Sequence, residues 1–327
     1  MKFGIYPGGR AGTVCSHPPD PAKIGELIDD LAGDHPFIIR EYVHFFGDAP
    51  SPEVVVSLGA EHELDHLTMP DDWYVAGGRE LDLVVSYLPQ TADIPGWLAF
   101  LDAVIDRYGH LTRYLQVTLE PNFPIPFIDG SSPGVREALA LGIPHARATL
   151  NRRGLHDVRV GFSVAEPPEW LGGDSDFWQY LAGLRDFAAH VDYVGLALYP
   201  DAFSPVPPEA VAPMTTHALR HLREHSLPLA NISPETPIHI VENGTPGEEA
   251  QSRSLTAMLG AILDSRESLN ITHYELFSLR DADSTSPEPL GSLGLVTDTY
   301  RRKPAFDVYR NFVAACRFPA TPFDTRV

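Results

Sequence analysis

Basic residues are scarce in this chain. It has 24 Lys plus Arg against 44 Asp plus Glu in 327 residues, a formal charge of −20. A surface of that sign repels phosphate backbones and anionic bilayers, which argues against nucleic acid and membrane surfaces as partners. Cysteine is scarcer still. Cys15 and Cys316 are the two, far apart and without CxxC spacing, so neither a disulfide scaffold nor a cysteine metal site is expected, and free thiols suit a reducing compartment. No run of 18 uncharged apolar residues occurs, and the opening "MKFGIYPGG" lacks the apolar core of a signal peptide. The expectation is a cytoplasmic protein. Also missing are a Gly/Ser-rich linker that would divide the chain and a GxGxxG after the first apolar run, where "YPGGRAGTVCSHPPDP" stands instead. The second absence argues against a doubly wound dinucleotide fold.

What is present is a repeat of two periodicities. Near-continuous β-rich runs occur at Lys2–Tyr6, Phe37–Val43, Leu81–Leu88, Tyr114–Glu120, Asp157–Val164, Asp192–Tyr199, Pro237–Glu242 and Ile271–Ser278. Such runs suit parallel strands buried on both faces. Between them lie helical stripes, such as Ile24, Leu27, Ile28 and Leu31 after the Asp20-Pro21 start signal. Trp97, Phe100, Leu101, Val104, Ile105 and Tyr108 form another, and Met214, Ala218 and Leu222 a third. Eight strand-helix units predict an α/β fold of the (β/α)8 TIM barrel type, one domain across residues 1–327, with an irregular or inserted segment around 44–80.

Reacting groups of such a barrel stand at the C-terminal ends of its strands. Polar candidates there are Arg40, Gln116, Glu120, Tyr199, Glu242, Asn243 and Arg280. Alternation along a strand puts Gln116, Thr118 and Glu120 on one face of the fourth run and Ile238, Ile240 and Glu242 on one face of the seventh. Two carboxylates then meet across the mouth, which is the minimum equipment for glycoside hydrolysis.

The tail of the fourth run, "LEPN", resembles the Asn-Glu-Pro acid/base segment of clan A retaining glycoside hydrolases, and "IVENG" in the seventh resembles their nucleophile strand. The closing "YELFSLRDADS…LGSLGLVTDTYRRKPAFDVYR" is similar to the last strand and helix of the same clan. The resemblance implies a retaining glycosidase without a cofactor or metal, acting on a small glycoside or oligosaccharide. It implies Glu120 as general acid/base and Glu242 as nucleophile, with Arg40 and Tyr199 supporting Glu242. Asn122, Asn243, Trp170, Phe277 and Arg280 are the expected substrate-binding or supporting residues. Two positions depart from the clan pattern. Leu119 stands where an asparagine would bond the sugar 2-hydroxyl, and no tryptophan stands at Leu276-Phe277. These departures keep open a catalytically inactive carbohydrate-binding barrel. "HELDH" at His62–His66 matches the HExxH zinc pattern, but Pro70 soon ends any helix there and no third histidine follows at the right spacing, so no metal is expected.

Overall fold

A computed structural model describes residues 1–9, 15–48, 67–126, 128–166, 173–204 and 206–316. Eight parallel strands close on themselves in sequence order: β1 Lys2–Ile5, β2 Phe37–Phe45, β3 Arg79–Tyr87, β4 Thr112–Val117, β5 Arg159–Ala165, β6 Tyr193–Leu198, β7 Ile238–Asn243 and β8 Ile271–Leu276. The helices outside them are α1 Pro21–Ala32, α2 Ile94–Tyr108, α3 Val135–Arg152, α4 Ser175–Ala182, α5 Pro208–His221, α6 Gln251–Ser265 and α7 Pro304–Ala315. The expected α/β barrel is therefore present. Within 44–80, β2 continues to Phe45 and a short 3-10 turn covers Asp71–Val75. The HELDH segment and Trp170 lie outside the described residues.

Local chemistry explains the helix starts. Asp20 caps α1 by accepting from the amides of Ala22 and Lys23, with Pro21 behind it, and Asp93 caps α2 through the Gly96 amide. The predicted stripes of α1 and α2 are buried. On α5 the stripe is rotated: Val211, Thr215, Ala218 and Leu219 face inward while Met214 is exposed. Gly142 lets α3 approach α2 and β4, since a Cβ there would lie 2.9 Å from both Trp97 Nε1 and Val117 Cγ1. Among the described residues no helix is long and apolar enough to cross a membrane.

The barrel interior is unusually polar. Interiors of this fold are typically filled by layers of branched aliphatic side chains. Here Lys2 bonds Glu80 and the Tyr114 hydroxyl, and His273 Nε2 lies 3.0 Å from the same hydroxyl. His239 packs at 3.7 Å between ring centroids from His273 and stacks on Tyr193. Burial foremost holds both histidines well below their ordinary pKa, so neither adds a cation to this layer beside Lys2. Above it sit Asp82, Glu275 and Arg40, all essentially inaccessible. Burial foremost raises both the Asp82 and Glu275 carboxyls above the usual carboxylate range, and the Arg40 guanidinium beside them opposes that rise.

Two irregularities decide which side chains reach the mouth. On β7, Leu196 pairs with Ile240 but Ala197 pairs with Glu242, leaving Val241 as an extra residue. His239 and Glu242, three apart, consequently both face the interior. Plain alternation, which groups Glu242 with Ile238 and Ile240, does not hold here. β4 is shorter than expected: it ends at Val117, and Thr118 (φ 67°) and Glu120 (φ 49°) adopt left-handed conformations. Glu120 thus projects from a turn, not from an extended strand.

Candidate active site

Glu242 ends the inward face of β7 and gathers three donors. Tyr42 from β2 donates to Oε1 at 2.7 Å, Tyr199 after β6 donates to Oε2 at 3.1 Å, and Arg40 Nη2 reaches Oε1 at 3.4 Å. Burial foremost holds both tyrosine hydroxyls well above their ordinary pKa, so they remain protonated donors. Arg40 is fixed in turn: Nη1 bonds Asp82 at 2.8 Å, Nη2 bonds Gln116 Oε1 at 2.8 Å, and Nε bonds the Tyr42 hydroxyl at 2.7 Å. The guanidinium does not pair with its neighbour Glu41, which faces outward and accepts from Thr68 and Tyr74.

Glu120 is the complementary group. It is 6% exposed, and among the described residues no hydrogen bond reaches its carboxyl group. Burial, then the charges of Glu242 and Asp129, pushes that carboxyl well above the usual carboxylate range. It is set up to carry a proton. The Glu120 amide donates to Ser163 Oγ at 3.2 Å, and Gln116 Nε2 donates to the same oxygen at 2.8 Å and to the Thr118 carbonyl at 2.9 Å. Among the described residues, one carboxyl thus has no donor and the other has three.

Tyr42 was not among the sequence candidates. The signal was available, since alternation from Arg40 places Tyr42 on the same face. Its hydroxyl accepts from Arg40 and donates to Glu242, and hydrogen bonds to charged groups contribute about 1.5–3 kcal/mol. Tyr42→Phe is accordingly expected to lower kcat/KM by roughly tenfold to a hundredfold. Steady-state kinetics on an activated aryl β-glycoside checks this, and a change below twofold would remove Tyr42 from the site.

The other expected substrate contacts divide. Phe277 is buried at the mouth, stacked on Tyr6 with ring centroids 4.9 Å apart and edge-on to Tyr42 at 6.1 Å. Asn122 is consumed by the scaffold. Its Nδ2 donates to the Ala165 carbonyl and to Asp174, and its Oδ1 accepts from the Ala165 amide, which ties the turn after β4 to the end of β5. Asn243 points to the helix layer, bonding the Leu198 carbonyl, Met258 Sδ and the Tyr274 hydroxyl. Arg280 is buried and joins the loop after β8 to the His17 and Asp298 carbonyls. His273 and Glu275 face the interior, at the positions of β8 that pair with Lys2 and Gly4 of β1. The glycine of "ENG" has a steric reason: a Cβ on Gly244 would lie 2.2 Å from the Phe277 carbonyl oxygen. Among the described residues no group of three or more His, Cys, Asp or Glu is arranged to hold a metal ion.

No family model matches the chain, and no curated protein matches it. Solved structures do. A GH1 β-glucosidase from Exiguobacterium antarcticum B7 superposes with a TM-score of 0.62 at 14% identity, covering 96% of this chain and 97% of that one. An alanine variant of a GH5_18 enzyme from Streptomyces cattleya, solved with Manβ1-4GlcNAc, gives 0.63 at 17% identity over 98% and 82%. A GH39 enzyme from Xanthomonas axonopodis pv. citri gives 0.58 at 17% identity over 90% of this chain, which spans 62% of that one. Likeness at these identities concerns architecture, and on that level the chain has the (β/α)8 barrel fold used by glycoside hydrolases of several families.

Proposed function

We propose that this barrel is a retaining β-glycosidase in which Glu242 is the nucleophile and Glu120 the general acid/base. The observation that carries the reading is the asymmetry of the two carboxyl groups: Glu242 receives Tyr42, Tyr199 and Arg40, while Glu120 is buried with a raised pKa and no donor among the described residues. In the first step a Glu242 oxygen bonds to the anomeric carbon as the carbon–oxygen bond to the leaving group breaks, and the Glu120 proton passes to the departing oxygen. In the second, Glu120 takes a proton from water, whose oxygen attacks the same carbon and releases Glu242. No step calls for a metal or cofactor. Retention requires the two carboxyl groups to stand about 5–5.5 Å apart, against about 6.5–9.5 Å for inversion.

The acid form of Glu120 is the active one in the first step, so kcat/KM is lost as pH rises through its pKa. Because that pKa is raised, the alkaline limb should lie above the ordinary carboxylate range. Profiles measured with a panel of 4-nitrophenyl β-glycosides test the reading. A bell shape with this limb supports it, and absence of turnover across the panel at every pH overturns it in favour of the binding-only barrel that Leu119 keeps open. At position 119 leucine offers no side-chain donor. Enzymes that grip the 2-hydroxyl gain several kcal/mol in the transition state from contacts of this kind. A 2-deoxy substrate should therefore lose little here, at most about tenfold in kcat/KM. Comparing 2-deoxy and parent aryl glycosides checks it, and a loss above a hundredfold would show that another group makes the contact.

A further inference from the structure

Asp129 is a fully buried carboxylate outside the pair just described. It opens a short 3-10 turn at Asp129–Ser131, and its oxygens accept three hydrogen bonds. Oδ2 takes the amides of Tyr87 and Leu119, each at 2.7 Å, and Oδ1 takes the Ser86 hydroxyl. The side chain thereby joins the end of β3 to the turn that follows β4. That turn is strained, because Thr118 and Glu120 both hold positive φ without being glycine. Each such residue costs on the order of 1–3 kcal/mol and persists where its surroundings over-determine it. Leu119 lies between them with an apolar side chain, so its amide is the polar handle it offers. Ser163 takes the next amide, that of Glu120.

We propose that Asp129 is the positioning residue of the acid/base: by holding the Leu119 amide it fixes the turn from which Glu120 projects into the barrel mouth. The inference rests on the glycosidase reading of Glu120. Its charge has a second effect in the same direction. Asp129 faces Glu120 together with Glu242 from β7 and Arg40 from β2, with Tyr199 beyond β6, and the two neighbouring carboxylates favour the protonated acid while Arg40 opposes them. Burial pushes Asp129 itself up to about 7 against its three donors.

Two substitutions separate tether from charge. In Asp129→Asn the amide oxygen still accepts from Tyr87 and Leu119 while the NH2 donates to Ser86, so the tether survives and the charge is removed. In Asp129→Ala both are removed. The readout is kcat/KM on a 2,4-dinitrophenyl β-glycoside, whose leaving group needs no proton, and on a phenyl β-glycoside, whose leaving group does. Asp129→Ala should lose at least about tenfold more on the phenyl substrate than on the dinitrophenyl one. Asp129→Asn should recover most of that difference and move the alkaline limb to lower pH. Equal losses on both substrates in Asp129→Ala overturn the proposal, and an unmoved limb in Asp129→Asn overturns the charge effect alone. If the alanine variant fails to fold, the asparagine variant decides on the two substrates: a loss on the phenyl substrate about tenfold greater than on the dinitrophenyl one, where the tether is kept, overturns the proposal. Glu120→Ala assayed alongside identifies what failed. If it too lacks leaving-group dependence, the glycosidase reading falls and this proposal with it, whereas dependence in Glu120→Ala without the Asp129 effects refutes the positioning role alone.

Discussion

Glu242→Ala is expected to reduce turnover of an activated β-glycoside by at least about ten-thousandfold, the scale seen when a nucleophile is removed from machinery that otherwise stays assembled. The reason is specific to the geometry. Tyr42, Tyr199 and Arg40 converge on the two oxygens of this one carboxylate, and none of them is itself placed as a nucleophile. Truncation leaves their hydrogen bonds without an acceptor and opens a space beside the anomeric carbon. Azide should enter that space and attack from the face Glu242 used, giving an α-glycosyl azide from a β-glycoside. Kinetics with product analysis by NMR reads both effects. Retained turnover in a correctly folded variant would sink the nucleophile assignment, and a β-azide would place the missing group on the opposite face.

Glu120→Ala should behave differently. Loss of general acid catalysis costs about a hundredfold to ten-thousandfold on a glycoside with a poor leaving group. A 2,4-dinitrophenyl glycoside needs no proton to depart, so its first step continues while the second, deprived of its base, slows. Expected consequences are a fall in KM, accumulation of a covalent intermediate and disappearance of the alkaline limb of the pH profile. Azide needs no general base and should restore turnover, with a β-glycosyl azide as product. Equal loss on good and poor leaving groups would contradict the acid/base role.

The frame of this site was legible in the sequence because barrel strands are buried on both faces. Runs such as "LDLVVSYL" and "DYVGLALY" announce themselves without any knowledge of their partners, and the eight runs occur where the structure has β1 to β8. Glu120 and Glu242 were legible for a related reason, as lone carboxylates at the ends of apolar runs. Their exact projection was not. The bulge at Val241 and the left-handed turn at Thr118–Glu120 depend on neighbouring strands, and alternation read along one strand cannot register an extra residue. The polar interior was hidden for the same reason. His273 and Glu275 look like surface residues until closure of β8 onto β1 turns them inward. Asn122, Asn243 and Arg280 show the converse. Each is polar, near the mouth and chemically suited to a sugar, yet the structure spends their hydrogen bonds on loop carbonyls and neighbouring side chains. Asp129 left no local signal, since its meaning lies in amides on two other segments.

Peptide mapping by mass spectrometry of Glu120→Ala, quenched during turnover of 2,4-dinitrophenyl β-glycosides with an unmodified sugar, tests the pairing most directly. It needs no 2-fluoro reagent and so does not depend on the altered surroundings of Leu119. The two-carboxylate mechanism predicts one glycosyl group esterified to Glu242, within the peptide containing "IVENG". A glycosyl group on any other residue, or steady turnover with no modified peptide, would contradict it.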